Sequence, residues 1–305
     1  MKKIIYIAIV ISLFVFSCKN REENALQELE KRGVEFSEKS FFEQIEKVDT
    51  ETVKLFIEAK ADVDAENHKK QTPLMIASIY NLTEIAKMLI NSGANINARD
   101  KSGKTALHHS IVNGTEIFHM LVSNGADLDK KDNKEETPLH YVARFKRKEM
   151  FNRLMVENIQ LDTSNKNGFT PLAISIYSKE YKMAKTLIEK GADVKKANSE
   201  GVAPLMLAAS GGRSSQPELV KLILEKGAEI DSVDFEGKTA LFYAVGKIWI
   251  DITKILLEAG ANPKVVDKTG KTVFDLLTGE GLKEDRQKIR DIINSKINEK
   301  ITFES

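Results

Sequence analysis

The sequence predicts an all-α-type repeat solenoid: about six full units of two helices plus a hairpin loop, closed by a capping unit at each end. Three observations predict it. A Thr-Pro-Leu opening, or a near variant, recurs at Thr72, Thr105, Thr137, Thr170, Ala203, Thr239 and Thr272. The intervals are 33, 32, 33, 33, 36 and 33 residues, and one period kept over seven openings marks stacked supersecondary units. Later in a unit comes Gly-Ala, at Gly93, Gly125, Gly191, Gly227 and Gly260.

The elements of a unit follow from its residues in order. Threonine before proline starts the first helix. Its hydroxyl accepts from an orphan N–H, and proline at the first helical position has no N–H to lose. Small residues follow five and six positions on: Ala77 and Ser78, Ser110, Ala143, Ser175, Ala208 and Ala209, Ala244. They let the first helices of neighbouring units pack closely. A second helix shows apolar residues spaced three and four apart, as in Ile85-Ala86-Met88-Leu89, Leu219-Val220-Leu222-Ile223 and Ile252-Ile255-Leu256. The glycine of Gly-Ala then ends that helix in a left-handed conformation. An Asp-x-x-Gly segment such as Asp100–Gly103 makes a tight β-hairpin turn, with Lys104 exposed and Thr105 capping the next helix.

Some units depart from the pattern. Asn158-Ile159 stands where Gly-Ala is expected, and asparagine tolerates the left-handed conformation that keeps the turn. Lys70 and Glu135 replace turn glycines, which predicts looser hairpins there. The 36-residue interval comes from an extended loop, GGRSSQP at 211–217, and the 32-residue interval is one residue short at Asn113–Glu116. Residues 40–65 keep the second helix and the close but lack the opening, as an N-terminal cap would. Ahead of them, Asn24–Arg32 can add one helix through Leu26 and Leu29. Asp275–Ile293 reads as the C-terminal cap, with Ile289, Ile292 and Ile293 facing in. The expected division is a leader at 1–17, a linker with a short helix at 18–36, and the repeat domain at 37–300.

These openings and closes resemble the ankyrin repeat, with its TPLHxA start and GADVNA end, and the resemblance covers about residues 40–295. It implies a scaffold that binds a protein partner through a concave face of inner helices and hairpin tips. It also implies that His108 and His140, in the fourth position of TPLH, bond to the capping threonine and to neighbouring backbone. The structural caps are then Thr72, Thr105, Thr137, Thr170 and Thr239, with His108 and His140. Four residues after each opening, the family's residue faces the groove. Here that series is Ile76, His109, Tyr141, Ile174, Leu207 and Tyr243. One turn on come Tyr80, Arg144, Phe145 and Tyr177. Trp249 lies in the loop of repeat six, and Phe235 at a hairpin tip. Aromatic residues and arginine dominate interface energies. The candidate partner-binding set is therefore Tyr80, His109, Tyr141, Arg144, Phe145, Tyr177, Phe235, Tyr243 and Trp249, centred on repeats three to six. Core packing between repeats is the other role open to Tyr141, Ile174, Leu207 and Tyr243.

Enzyme chemistry finds no constellation. SGKT at Ser102–Thr105 has the ending of a phosphate-binding loop, and Gly-Lys-Thr recurs at Gly237 and Gly270. That loop needs a glycine five residues earlier, and those positions hold Ala98, Ser232 and Val265. There is no GxSxG and no HExxH, and a single cysteine excludes disulfides within the chain and CxxC zinc or redox motifs. His108 and His109 diverge by about 100° on a helix and do not easily share a ligand. His68 sits at a hairpin and His119 on an outer helix. The chain is expected to be no enzyme and to hold no cofactor or metal. With 46 basic and 45 acidic residues it has no field for nucleic acid. The run Arg144-Phe145-Lys146-Arg147-Lys148 reads as a solvated helix end.

The first residues, MKKIIYIAIVISLFVFSCKN, join two lysines to an apolar run, Ile4–Phe16, broken only by Ser12. Thirteen residues at ~1.5 Å rise span about 20 Å, short of a ~30 Å hydrocarbon core. The pattern is a secretory signal. Val15-Phe16-Ser17-Cys18 resembles the cleavage box of bacterial lipoproteins, with Phe16 bulkier than usual. By that resemblance Cys18 becomes a lipidated first residue, and several acyl chains anchor stably where one is marginal. Loss of residues 1–17 removes Lys2 and Lys3 and leaves 44 basic against 45 acidic residues. The expected protein is a monomeric adaptor anchored by lipid to the bacterial envelope, periplasm-facing or at the cell surface. The alternative is a secreted or surface-exposed factor that binds host-cell proteins.

Overall fold

The computed structural model describes residues 19–211, 217–278 and 281–303. The leader, Cys18 and most of the 211–217 loop lie outside the described residues. The chain divides into two compact units, Met1–Asn133 and Lys134–Ser305. Each is a stack of antiparallel helix pairs. The fold is an all-helical repeat solenoid, and no strand occurs among the described residues.

The first unit begins with helix α1, residues 19–31. It packs through Ala25 and Leu29, whereas Leu26 is exposed. The Leu26–Leu29 pairing expected from sequence is thus replaced by Ala25–Leu29, a four-residue spacing that stays on one helix face. The capping pair follows, α2 (Glu38–Glu46) and α3 (Thr50–Glu58). Without a Thr-Pro opening, Ser37 caps α2 by accepting from the Ser40 N–H, and Asp49 caps α3 by accepting from the Thr52 N–H. Phe56 stacks between Phe36 and Phe41, with ring centroids 5.5 and 5.1 Å away. Repeat one is α4 (Pro73–Ile79) and α5 (Thr83–Asn91), and repeat two is α6 (Ala106–Asn113) and α7 (Thr115–Ser123). Gly114 serves both as the C-cap of α6 and as the N-cap of α7, which accounts for the short interval.

The second unit holds repeats three to six. The pairs are α8 (Pro138–Arg144) and α9 (Lys148–Leu154), α10 (Pro171–Tyr177) and α11 (Tyr181–Glu189), α12 (Pro204–Ser210) and α13 (Pro217–Glu225), α14 (Ala240–Gly246) and α15 (Ile250–Glu258). A 3-10 turn, Val273–Leu277, replaces the last inner helix, and α16 (Lys283–Phe303) closes the stack. Ile289 and Ile293 are fully buried, and Ile292 is half-buried.

Inner helices touch inner helices and outer helices touch outer ones, as α10 with α12 and α11 with α13. The small residues make this close approach possible: Ala77, Ser110, Ala143, Ser175, Ala209 and Ala244 are completely buried. Buried serine hydroxyls bond back to their own helix, Ser110 to Leu107 O and Ser175 to Leu172 O, so no donor is stranded. The outer helices end at Gly93, Gly125, Gly191, Gly227 and Gly260, all with φ between 86° and 99°.

Four expectations are corrected. The loops are turns rather than strand-paired hairpins. Six of them, at Asn67, Asp100, Asn165, Asn198, Asp234 and Asp267, are organised by that residue, whose side-chain oxygen accepts from backbone N–H groups two and four residues on. Asn165 receives Asn167 and Phe169 in this way, and Asp234 receives Glu236 and Lys238. Lys70 and Glu135 do not loosen their turns. They adopt φ of 57° and 61°, and Lys70 keeps its N–H bond to Asn67 O at 2.8 Å. Asn158 is not left-handed. Helix α9 stops at Leu154, seven residues long against nine for most outer helices, and the Glu157 N–H bonds to Leu154 O. Without a glycine the chain leaves the helix early. Lys104 is half-buried rather than exposed.

Candidate functional site

The second unit presents a groove at the C-terminal ends of its inner helices. Its volume is about 670 Å³. Ile176 and Tyr177 come from the end of α10, and Lys179 from the turn after it. Leu207, Ser210 and Gly211 come from α12 and its end, and Lys247 and Trp249 from the turn after α14. The inner helices are only seven residues long, so a short turn into each outer helix sets these side chains side by side, repeat after repeat. Lys146, Lys179 and Ile248 hold left-handed φ of 59°, 62° and 58° in those turns.

Tyr177 is the most exposed of the groove's apolar residues, at 73%. It stands edge-on to Phe169, ring centroids 6.3 Å apart, which fixes its direction without covering it. Lys179 and Lys247 are exposed and have no ion-pair partner among the described residues. Lys146, in the equivalent turn of repeat three, instead pairs with Glu180 at 3.8 Å. Among the described residues no carboxylate lines the groove. The Trp249 Nε1 is buried without a partner among the described residues.

Other candidates lie elsewhere, and of the residues four after an opening Leu207 is the one that lines the groove. Tyr141 and Ile174 are buried, which decides for core packing there. Tyr243 is half-buried, and its hydroxyl donates to Asp234 at 2.5 Å. Burial first, then that bond, raises the Tyr243 hydroxyl well above the usual tyrosine range. His109, in the first unit, makes the equivalent contact with Asp100 at 2.9 Å. Burial lowers the His109 imidazole, against the raising effect of Asp100. Both side chains thus lock their own hairpins. Arg144 is held by Glu136, which also accepts from Asn165 at 2.9 Å. Burial alone would raise the Glu136 carboxyl, but the bonds from Arg144 and Asn165 outweigh it and keep it below the usual range. Phe145 lies 6.0 Å from Tyr141 and is 40% exposed. Tyr80 is exposed in the first unit. Phe235 is exposed at its hairpin tip, yet a Cβ at Gly201 would come within 2.9 Å of its ring, so it lies over the preceding tip. Between Phe235 and Trp249 stands helix α14, about 10 Å long at ~1.5 Å per residue. The expected single groove of tips and inner helices is therefore not assembled. Tyr177 and Trp249 are brought together, and Phe235 and Tyr243 belong to the other end.

The caps vary. Thr72 and Thr170 accept from the N–H three residues on. Thr105 and Thr137 instead meet the Nδ1 of His108 and His140, at 3.0 and 2.8 Å, and the His140 Nε2 reaches Phe169 O at 3.1 Å. Burial pushes the His140 imidazole down to about 4. Thr239 has phenylalanine, not histidine, three residues on and makes no side-chain cap bond, so its expected capping role is corrected.

Comparison with known proteins names this architecture. Three stretches, 44–132, 115–198 and 193–267, match the family described as ankyrin repeats, in three copies. The chain belongs to the ankyrin repeat family. Over 54 residues, 18% of the chain, it is 39% identical to the B-cell lymphoma 3 protein homolog of Mus musculus. Over 61 residues, 20% of the chain, it is 36% identical to a probable E3 ubiquitin-protein ligase, XBOS31, of Oryza sativa subsp. japonica. These matches span only 12% and 14% of those relatives. The crystal structure of the ankyrin repeat domain of Bcl-3, titled a unique member of the IkappaB protein family, superposes with a TM-score of 0.60 at 21% identity. It covers 73% of this chain and 98% of that one. The likeness is one of fold. Ankyrin repeats are a protein-interaction scaffold, and this chain is built on that plan.

One feature of this ankyrin protein escaped the sequence, and a second was legible only in part, as the Asp-x-x-Gly turn. Lys179 and Lys247 border the groove, and their signal is the turn position eight or nine residues after an opening. An Asn or Asp stands five residues before each opening, at Asn67, Asp100, Asp132, Asn165, Asn198, Asp234 and Asp267, and so repeats with the same period as the openings. Among the described residues no group of three or more His, Cys, Asp and Glu is placed to hold a metal, and no helix is long and apolar enough to cross a membrane.

Proposed function

We propose that the protein is a non-enzymatic adaptor that docks a protein partner at the Tyr177–Trp249 groove. The observation that carries this is the exposed Tyr177 beside the unpaired Lys179, over an apolar floor from Ile176 and Leu207. Aromatic and cationic side chains around an apolar floor are the composition of an interface core. The leader pattern and Cys18 support a lipid-anchored place in the bacterial envelope, where the adaptor acts as a monomer.

A live-cell crosslinked pull-down tests the docking. The bait is the full chain, run beside Tyr177→Ala, which removes an exposed ring, and Tyr141→Ala as a buried control. One protein lost with Tyr177→Ala while thermal unfolding is unchanged supports the groove. The same proteins from both baits would remove it. Labelled fatty acid incorporated by wild type and not by Cys18→Ser tests the anchor, and protease treatment of intact cells distinguishes periplasm-facing from surface placement.

A further inference from the structure

The chemistry of the groove says more than that a protein binds. Three inner-helix turns of the second unit carry a lysine, but they are not equivalent. Lys146 is neutralised by Glu180, whereas Lys179 and Lys247 reach solvent with no acidic partner among the described residues. Those two border the groove, and among the described residues no carboxylate lines it. A lysine after a helix C-terminus complements the helix dipole. That explains one lysine per turn, and leaves unexplained why only the groove pair lacks a counter-ion. The chain as a whole is near neutral, so this is a local feature.

The shape limits the occupant. A small molecule buries 70–90% of its surface in a site that encloses it. Here Tyr177 stands 73% exposed at the rim, so much of its ring can be covered only by something that extends beyond the groove. A planar bilayer cannot enter a recess between helix ends. An extended segment of polypeptide can do both.

We infer that the groove takes an acidic segment of a partner protein, with an apolar side chain between Tyr177 and Trp249 and carboxylates against Lys179 and Lys247. This rests on the protein-docking reading above. Ile176 and Leu207 supply the apolar floor, and the two lysines set the charge the segment must carry. Complementary charge of this kind governs which partners are accepted and how fast they arrive.

The test places a photoreactive p-benzoylphenylalanine at position 177 of the full chain, in the cells that make it, and sequences the crosslinked peptide. An acidic segment containing an apolar residue is expected. Its yield should fall about tenfold with Lys179→Glu/Lys247→Glu, because like charges now oppose. It should be unchanged with Lys182→Glu/Lys185→Glu on the outer helix α11. A neutral or basic segment, or a yield indifferent to the groove reversal, overturns the acidic inference and leaves protein docking standing. A lipid or nucleic-acid adduct, or no adduct at all, overturns both.

Discussion

Repeats three and six share an opening threonine, a seven-residue inner helix and a left-handed residue after it, yet they treat their polar groups in opposite ways. In repeat three, Thr137 meets His140, His140 reaches Phe169 O, and Glu136 joins Arg144 to Asn165. In repeat six the position of His140 is Phe242. The Thr239 Oγ1, Trp249 Nε1 and Thr253 Oγ1 are buried without partners among the described residues. A buried unpaired polar group costs about 1–3 kcal/mol. Repeat six therefore holds its fold with less polar support, and it is the repeat that contributes Lys247 and Trp249 to the groove. Local rules are kept where repeats only stack and broken where a partner is proposed to dock, which is where such violations are expected.

The largest effect should come from removing the hub of the satisfied repeat. His140→Ala strands the Thr137 N–H, takes one of two bonds from the Phe169 carbonyl and opens a cavity. It should cost about 3 kcal/mol, from buried hydrogen-bond and cavity losses together. Urea unfolding measures it, and a loss under 1 kcal/mol would mean the network is ornamental.

The same histidine gives a pH signature. Its folded value lies near 4, below the unfolded value of about 6.5, so the folded state keeps it neutral while the unfolded chain binds a proton. Stability is fully present above pH 6.5 and is lost as pH falls toward 4. Between pH 7 and pH 5 the loss attributable to His140 should be about 2 kcal/mol. His109 is lowered too and contributes in the same direction. Subtracting the pH dependence of His140→Gln isolates the one residue. Equal dependence in both proteins would show that His140 is not the group responsible.

Much of this was legible from sequence, and the reason is periodicity. A motif that recurs at a fixed interval reports a backbone geometry that recurs, so openings, small inner residues and closing glycines all placed their elements. The misreadings fall where a side chain's partner lies outside its own motif. Nothing near Tyr243 or His109 announces a bond to an aspartate nine residues earlier, which removes both from the docking set. Nor does the sequence separate the groove from the hairpin tips, because that depends on which end of α14 each residue occupies. Asn158 failed for a local reason: the tolerance of asparagine for φ > 0 permits a left-handed cap but does not require one.

Charged groups at the two repeats sharpen the contrast at a smaller scale. Glu136→Gln keeps shape but removes the charge that holds Arg144, at a site where the glutamate side chain is only 4% exposed. The cost should be about 1–2 kcal/mol, because an arginine loses its charged acceptor in a partly desolvated setting. Lys247→Ala in repeat six touches an exposed lysine and should fall within about 0.5 kcal/mol of wild type. Thermal unfolding of the two variants would reverse the picture only if Lys247 proved the costlier.

The finest test compares the same substitution at the same repeat position. Thr137→Val and Thr239→Val each replace a completely buried hydroxyl by a methyl group of like size. At Thr137 the hydroxyl is bonded to His140, so its loss should cost about 1 kcal/mol, as for other helix caps. At Thr239 the hydroxyl has no partner, and a buried polar atom without one is unfavourable from the start. Its replacement should leave stability unchanged or raise it by a few tenths of a kcal/mol. Urea midpoints for both variants decide the matter. A clear loss at Thr239 would mean that its hydroxyl is satisfied in solution, and the two repeats would then differ only in which partner they chose.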